Sequence, residues 1–114
     1  HFGNFGLLQD NKTGEIIGTA PIFDNGYSLF NFAMEEDFKD LKAYAQTRTS
    51  ATGANHTDIA KIVMGPKQRE QLRRLINFKF EPHKPNKAKV KFSAKRRKDL
   101  EMFIQHRVRE LLEE

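Results

Sequence analysis

Residues 5–23 have the sequence FGLLQDNKTGEIIGTAPIF, in which two apolar stretches flank a short polar one. The Leu and Ile residues on either side suit pleated, half-buried strands. Between them, the sequence DNKTG at residues 10–14 supplies the aspartate, asparagine and glycine that tight turns require. Pro21 has no amide hydrogen to donate to a sheet, so it closes the second strand. The pattern predicts a β-hairpin between Asn4 and Asp24.

Apolar residues recur at helical spacing in four places after the hairpin. The first is the stretch from Met34 to Ala45, the second runs from Thr57 to Met64, and the third opens at Pro66. The last helix is capped by Ser93, and its apolar face consists of Leu100, Phe103, Ile104, Val108, Leu111 and Leu112. Such a face has to be buried. The sequence therefore predicts an α+β, mostly helical fold, with the N-terminal hairpin packed on three or four helices.

Composition places the chain among folded globular proteins. Its 114 residues are 38% apolar and 31% charged, which suits one small domain or part of a larger one. The chain has no cysteine, which excludes disulfides and thiolate metal sites and favours a reducing cytoplasm. No apolar run has the length of a membrane span, so we expect no membrane partner. Because the chain opens at His1 without a methionine, we expect a fragment whose N-terminal part is missing.

The hairpin has a consequence for two polar residues at its ends. Asn4 precedes the first strand and Asp24 follows the second, so a tight hairpin brings them to the same end. An amide oxygen and a carboxylate together suit Mg²⁺, which takes oxygen ligands and fills its other positions with water and substrate phosphates. Asn and Asp are also common turn residues, so the spacing by itself leaves both interpretations open.

The motifs HFGNFG at residues 1–6 and APIFDNGYSL at residues 20–29 resemble the catalytic loop and the metal-binding loop of HipA-like serine/threonine protein kinases. In that family the catalytic loop has a histidine and an asparagine where this chain has His1 and Asn4, and the catalytic aspartate stands two residues before the histidine. The resemblance implies that Asn4 and Asp24 hold the Mg²⁺ that accompanies ATP. It also implies that His1 shapes the loop.

The resemblance further implies an architecture and a set of partners. Residues 1–114 would be part of a kinase C-terminal lobe, with a catalytic and metal-loop hairpin at residues 1–29 and a helical part at residues 33–114. The chain lacks a glycine-rich phosphate loop, a strand lysine and the catalytic aspartate, so we expect it to be inactive alone and to bind neither Mg²⁺ nor ATP tightly. The implied partners are the missing N-terminal part, a protein substrate with Ser or Thr, and the DNA-binding antitoxin of a toxin–antitoxin pair.

Two other interpretations rest on different parts of the chain. Residues 79–98 contain nine cations and one acid, Glu81, and end in the run Lys95, Arg96, Arg97 and Lys98. This basic segment predicts either a nucleic-acid contact or a solvated surface. The interleaved Phe78, Phe80 and Phe92 would stack on bases in the first case and pack beneath the lysine stems in the second. The remaining alternative is a helical interaction domain without catalysis.

Overall fold

Two short strands and four α-helices are found in the computed structural model, which describes residues 5–23, 25, 28–81 and 93–113. The strands β1 (Leu7–Gln9) and β2 (Ile16–Thr19) form an antiparallel hairpin. A 3₁₀ helix (Asp37–Asp40) leads into α1 (Leu41–Gln46), and α2 (His56–Val63), α3 (Pro66–Arg73) and α4 (Ala94–Leu112) follow. The predicted α+β class, with one hairpin and four helices, is confirmed.

The hairpin turn is held by the side chain of Asp10. Its Oδ1 accepts hydrogen bonds from the backbone amides of Lys12 and Thr13, both at 2.8 Å. Gly14 adopts φ 73°, a left-handed conformation that glycine reaches without steric cost. The backbone amide of Asp10 donates to the carbonyl of Glu15 at 2.8 Å and closes the loop. The residues that predicted the turn are therefore the ones that form it.

These hydrogen bonds make the turn sensitive to acid. The backbone amide of Thr13, and then that of Lys12, stabilise the charged carboxylate and lower the pKa of Asp10. Because this pKa is lower in the folded than in the unfolded chain, the carboxylate's contribution to stability is present above the unfolded pKa and is lost as the pH falls through the folded one. We expect an NMR titration of Asp10 in the folded chain to have a lower midpoint than in urea. Asp10→Asn keeps an acceptor oxygen and should remove this pH dependence, and coincident midpoints would contradict the account.

The strands expose apolar side chains on both faces of the hairpin. Leu8 keeps 45% of its surface exposed and Ile17 keeps 66%, and Leu7 and Ile16 lie between these values. The prediction that the hairpin packs on the helices is therefore wrong for the part of the chain that the structure describes. The reason lies in the strand sequences, LLQ and IIGT, which lack the apolar–polar alternation that gives a sheet one buried face.

The predicted helix from Met34 to Ala45 is divided in two. Asp37 is the first residue of a 3₁₀ helix, and its carboxylate accepts a hydrogen bond from the Met34 amide at 2.8 Å. Asp40 then leaves helical geometry, with φ −146° and ψ 82°, and its Oδ1 accepts from the Ala43 amide at 3.0 Å. It thereby acts as the N-cap of a new helix, α1.

The other helices begin at residues that suit a helix N-terminus, either through a capping side chain or through a proline at the first position. Asn55, one residue ahead of α2, accepts hydrogen bonds from the amides of Thr57 and Asp58. Pro66 is the first residue of α3, where a missing amide hydrogen costs nothing. The Ser93 hydroxyl accepts from the Arg96 amide at 3.1 Å at the start of α4. The predicted starts at Pro66 and after Ser93 are confirmed.

The core forms where α4 crosses the earlier segments. Leu100 is 1% exposed and packs with Ala33, Phe38 and Leu41. Further along α4, Val108 is also buried, and the helix contacts α1, α2 and α3. The prediction that the apolar face of α4 is buried holds fully for Leu100 and Val108, whereas the other four residues of the face are half-buried against the rest of the described chain.

Candidate functional site

The predicted ligands Asn4 and Asp24, and His1 with them, lie outside the described residues. The hairpin between them is described, and at its open end the amide of Ala20 donates to the carbonyl of Gly6 at 2.9 Å. The strand register pairs Leu7 with Thr19 beside this bond. The described residues therefore form the hairpin on which the predicted proximity of Asn4 and Asp24 depends.

Residues 28–33, which follow Asp24 closely in the sequence, form a turn of unusual backbone geometry. The amide and the hydroxyl of Ser28 both donate to the carbonyl of Asn25, at 2.9 and 2.7 Å. Leu29 and Phe30 then adopt φ values of 55° and 57°, in the left-handed region. Because neither is glycine, each costs roughly 1–2 kcal/mol relative to an ordinary conformation. We call residues 28–33 the post-loop turn.

Arg96 holds this turn from α4. Its Nη2 donates to the carbonyl of Phe30 at 3.0 Å and its Nη1 donates to the carbonyl of Ala33 at 3.1 Å. The guanidinium group also lies over the ring of Phe38, 4.3 Å from its centroid. Arg96 thus bridges two parts of the chain that are more than sixty residues apart in sequence, using both arms of its planar fork.

The other cations of the predicted nucleic-acid quartet have different surroundings. Lys95 pairs with Asp99 at 2.8 Å, and the Arg97 Nε lies 3.9 Å from the Glu101 carboxylate. Lys98 is exposed. Two members of the quartet, Lys95 and Arg97, therefore lie beside acidic groups of α4, and Arg96 is half-buried in contacts with the post-loop turn.

Phe78, just before the basic segment, and Phe80, within it, lie along α4. Gln105 donates to the carbonyl of Phe78 at 2.8 Å, and the Glu101 carboxylate accepts from the amide of Phe80 at 3.0 Å. The two rings meet edge to face, with centroids 5.0 Å apart, and Phe80 also packs against the core. Phe80 thus packs against Phe78 and the core, while Lys79 between them is exposed. Phe92 lies outside the described residues.

This set of contacts was not predicted, although the sequence of α4 contains a signal for it. Glu101, Gln105 and Arg109 recur every fourth residue, and the Arg109 guanidinium donates to the carbonyl of Ile76 at 3.4 Å. Residues four apart lie on the same face of a helix, so these three side chains reach the carbonyl or amide groups of Phe80, Phe78 and Ile76 in turn. Such a row of polar side chains at i, i+4 spacing indicates a helix face that can bond to the backbone of a neighbouring segment.

Comparisons with known proteins found no protein-family model, curated protein or solved structure that matches the chain. In residues 5–23, 25, 28–81 and 93–113, no three His, Asp or Glu side chains are grouped so that they could hold a metal ion. Across these same ranges, no helix combines the length and apolarity needed to cross a bilayer.

Proposed function

We propose that the chain forms the C-terminal part of an ATP-dependent serine/threonine protein kinase of HipA type. The observation that carries the proposal is the hairpin itself. Its open end, where Ala20 donates to Gly6, adjoins the two kinase-like motifs in the sequence. A hairpin between a catalytic-loop asparagine and a metal-binding aspartate is the arrangement that protein kinases use. The described hairpin supports the same arrangement for Asn4 and Asp24.

The residues offered fit the chemistry of the metal. Asn4 supplies an amide oxygen and Asp24 a carboxylate, both hard ligands of the kind that Mg²⁺ prefers. When bound with ATP, Mg²⁺ neutralises charge on the β- and γ-phosphates. In the proposal the two side chains hold the cation and His1 shapes the loop between Asn4 and the catalytic aspartate. In the proposal the aspartate and the nucleotide-binding segment belong to an N-terminal part of the protein, so we expect tight ATP binding only by the full-length protein.

The exposure of the hairpin's apolar side chains is consistent with a further segment of protein that covers them in the proposed full-length kinase. A two-stranded hairpin is marginally stable by itself in water, and this one carries Leu and Ile side chains on both faces. In the proposal these faces adjoin the N-terminal part of the kinase. A cytoplasmic location, a protein substrate with Ser or Thr and a DNA-binding antitoxin partner belong to the same proposal.

The experiment that tests the function is phosphoryl transfer by the full-length protein. Incubation with γ-labelled ATP and Mg²⁺ should place label on Ser or Thr, either of the protein itself or of a partner, and phosphoamino-acid analysis should identify it. Chelation of Mg²⁺ should abolish the transfer. A correctly folded full-length protein that binds no Mg²⁺–ATP and transfers no phosphate would contradict the proposal.

A further inference from the structure

The post-loop turn keeps a conformation that its sequence does not favour. Leu29 and Phe30 both lie at positive φ, where a Cβ atom crowds the backbone. Residues in such conformations persist only where the surrounding structure holds them, and they concentrate at functional sites. The post-loop turn therefore needs stabilising contacts from other parts of the chain.

Contacts from two directions hold the turn. The ring of Phe30 meets those of Tyr44 and Phe103 edge to face, at centroid distances of 5.4 and 4.8 Å. The backbone is held separately, because Arg96 binds the carbonyls of Phe30 and Ala33 with one guanidinium group. The aromatic contacts fix a side chain, whereas Arg96 fixes the path of the main chain.

The post-loop turn is hydrogen-bonded to Asn25, the sequence neighbour of the predicted metal ligand Asp24. Asn25 follows Asp24 in the sequence, and its carbonyl accepts both hydrogen bonds of Ser28. Ser28 is two residues from Phe30, whose carbonyl binds Arg96. A short series of hydrogen bonds and covalent bonds thus ties Asn25 to α4.

We infer that Arg96 is a positioning residue of the proposed phosphoryl-transfer site, acting through the post-loop turn on the chain that leaves the metal-binding loop. This inference rests on the proposed function. Arg96 does not touch the nucleotide or the metal in this account. Its role needs a planar fork whose two arms reach two carbonyls at once, and the compact ammonium of lysine lacks that shape.

The test is Arg96→Lys in the full-length protein, which keeps the charge and removes the fork. We expect the Mg²⁺ concentration for half-maximal phosphoryl transfer to rise about tenfold and kcat to fall by about tenfold or more, because small displacements of positioned groups have effects of this size. The melting temperature is measured alongside. A purely structural role would lower the melting temperature and leave the Mg²⁺ requirement of the folded protein unchanged.

A second variant separates positioning from folding. Leu29→Gly relieves the strained φ of a residue that is 47% exposed, so adding it to Arg96→Lys should restore stability without restoring the fork. The double variant should keep the raised Mg²⁺ requirement. Arg109→Lys is the matched control, since Arg109 also donates to a carbonyl from α4 but binds Ile76 in the turn after α3, and it should leave the requirement unchanged.

The outcomes distinguish this inference from the function on which it rests. An active protein in which Arg96→Lys, or the double variant, keeps the normal Mg²⁺ requirement overturns the positioning role and leaves the kinase proposal standing. A folded wild-type protein without Mg²⁺–ATP binding or phosphoryl transfer overturns both.

Discussion

Replacing Asp24 with asparagine is expected to lower the rate of phosphoryl transfer by the full-length protein by at least about 10²-fold. The substitution keeps the size of the side chain and removes the negative charge that the proposal places on Mg²⁺. Loss of a group that merely supports a metal ligand commonly costs about 10- to 100-fold, so loss of the ligand's own charge should cost at least the upper value. The measurement is the initial rate at saturating ATP over a range of Mg²⁺ concentrations.

Asp10→Asn is the matched control for this experiment. It is the same chemical change in the same hairpin, but Asp10 lies in the turn, where its Oδ1 accepts from the amides of Lys12 and Thr13. An asparagine oxygen can accept the same hydrogen bonds, so the phosphoryl-transfer rate should be unchanged. A normal rate for Asp24→Asn, or an equal loss in both variants, would count against Asp24 as a metal ligand.

Replacing Leu100 with alanine is expected to lower the free energy of unfolding by about 2–5 kcal/mol. Leu100 is 1% exposed and lies where α4 meets Phe38 and Leu41, so truncation leaves a cavity among side chains that cannot all move to fill it. Small domains are stable by only about 5–15 kcal/mol, so the loss is a large fraction of the total. The measurement is urea unfolding of the 114-residue chain followed by circular dichroism.

Met102→Ala, on the same helix, provides the control. Met102 is 61% exposed, and its replacement should change the free energy of unfolding by less than about 1 kcal/mol. Equal losses for Leu100→Ala and Met102→Ala would mean that α4 is not packed by the face that contains Leu100.

The parts of the fold that the sequence predicted are those fixed by local chemistry. Asp10 and Gly14 specify the hairpin turn, because one accepts amide hydrogens and the other tolerates positive φ. Ser93 and Pro66 specify where two helices begin. In each case the residue interacts with backbone only a few positions away, so the pattern is visible without knowledge of the tertiary structure.

The parts that the sequence did not predict depend on contacts between distant residues or on competing local ones. Asp40 stands within an unbroken helical periodicity, yet its side chain caps α1 and divides the predicted helix. Leu29 and Phe30 carry no sequence signal of positive φ, since glycine or asparagine would be expected there. Their conformation depends in part on Arg96, which is more than sixty positions away and whose basic neighbours suggested a surface role.

The candidate site was predictable only as a pair of motifs joined by a hairpin. The hairpin is observed, with Ala20 bonded to Gly6, while the side chains of Asn4 and Asp24 lie outside the described residues. The metal-binding role of these two residues therefore stays a prediction. The link from the following turn to α4 emerged only from the structure.

Mapping a nucleotide-bound metal along the hairpin is the most direct test of the central claim. Mn²⁺ in place of Mg²⁺, added with a non-hydrolysable ATP analogue to the isotope-labelled full-length protein, broadens the amide signals nearest to it. We predict strong broadening at Gly6 and Ala20 and far less at Lys12 and Thr13, because the strand and turn separate the two ends by roughly 20 Å. Stronger broadening at the turn than at the open end, or no nucleotide-dependent broadening at Gly6 and Ala20, would contradict the account.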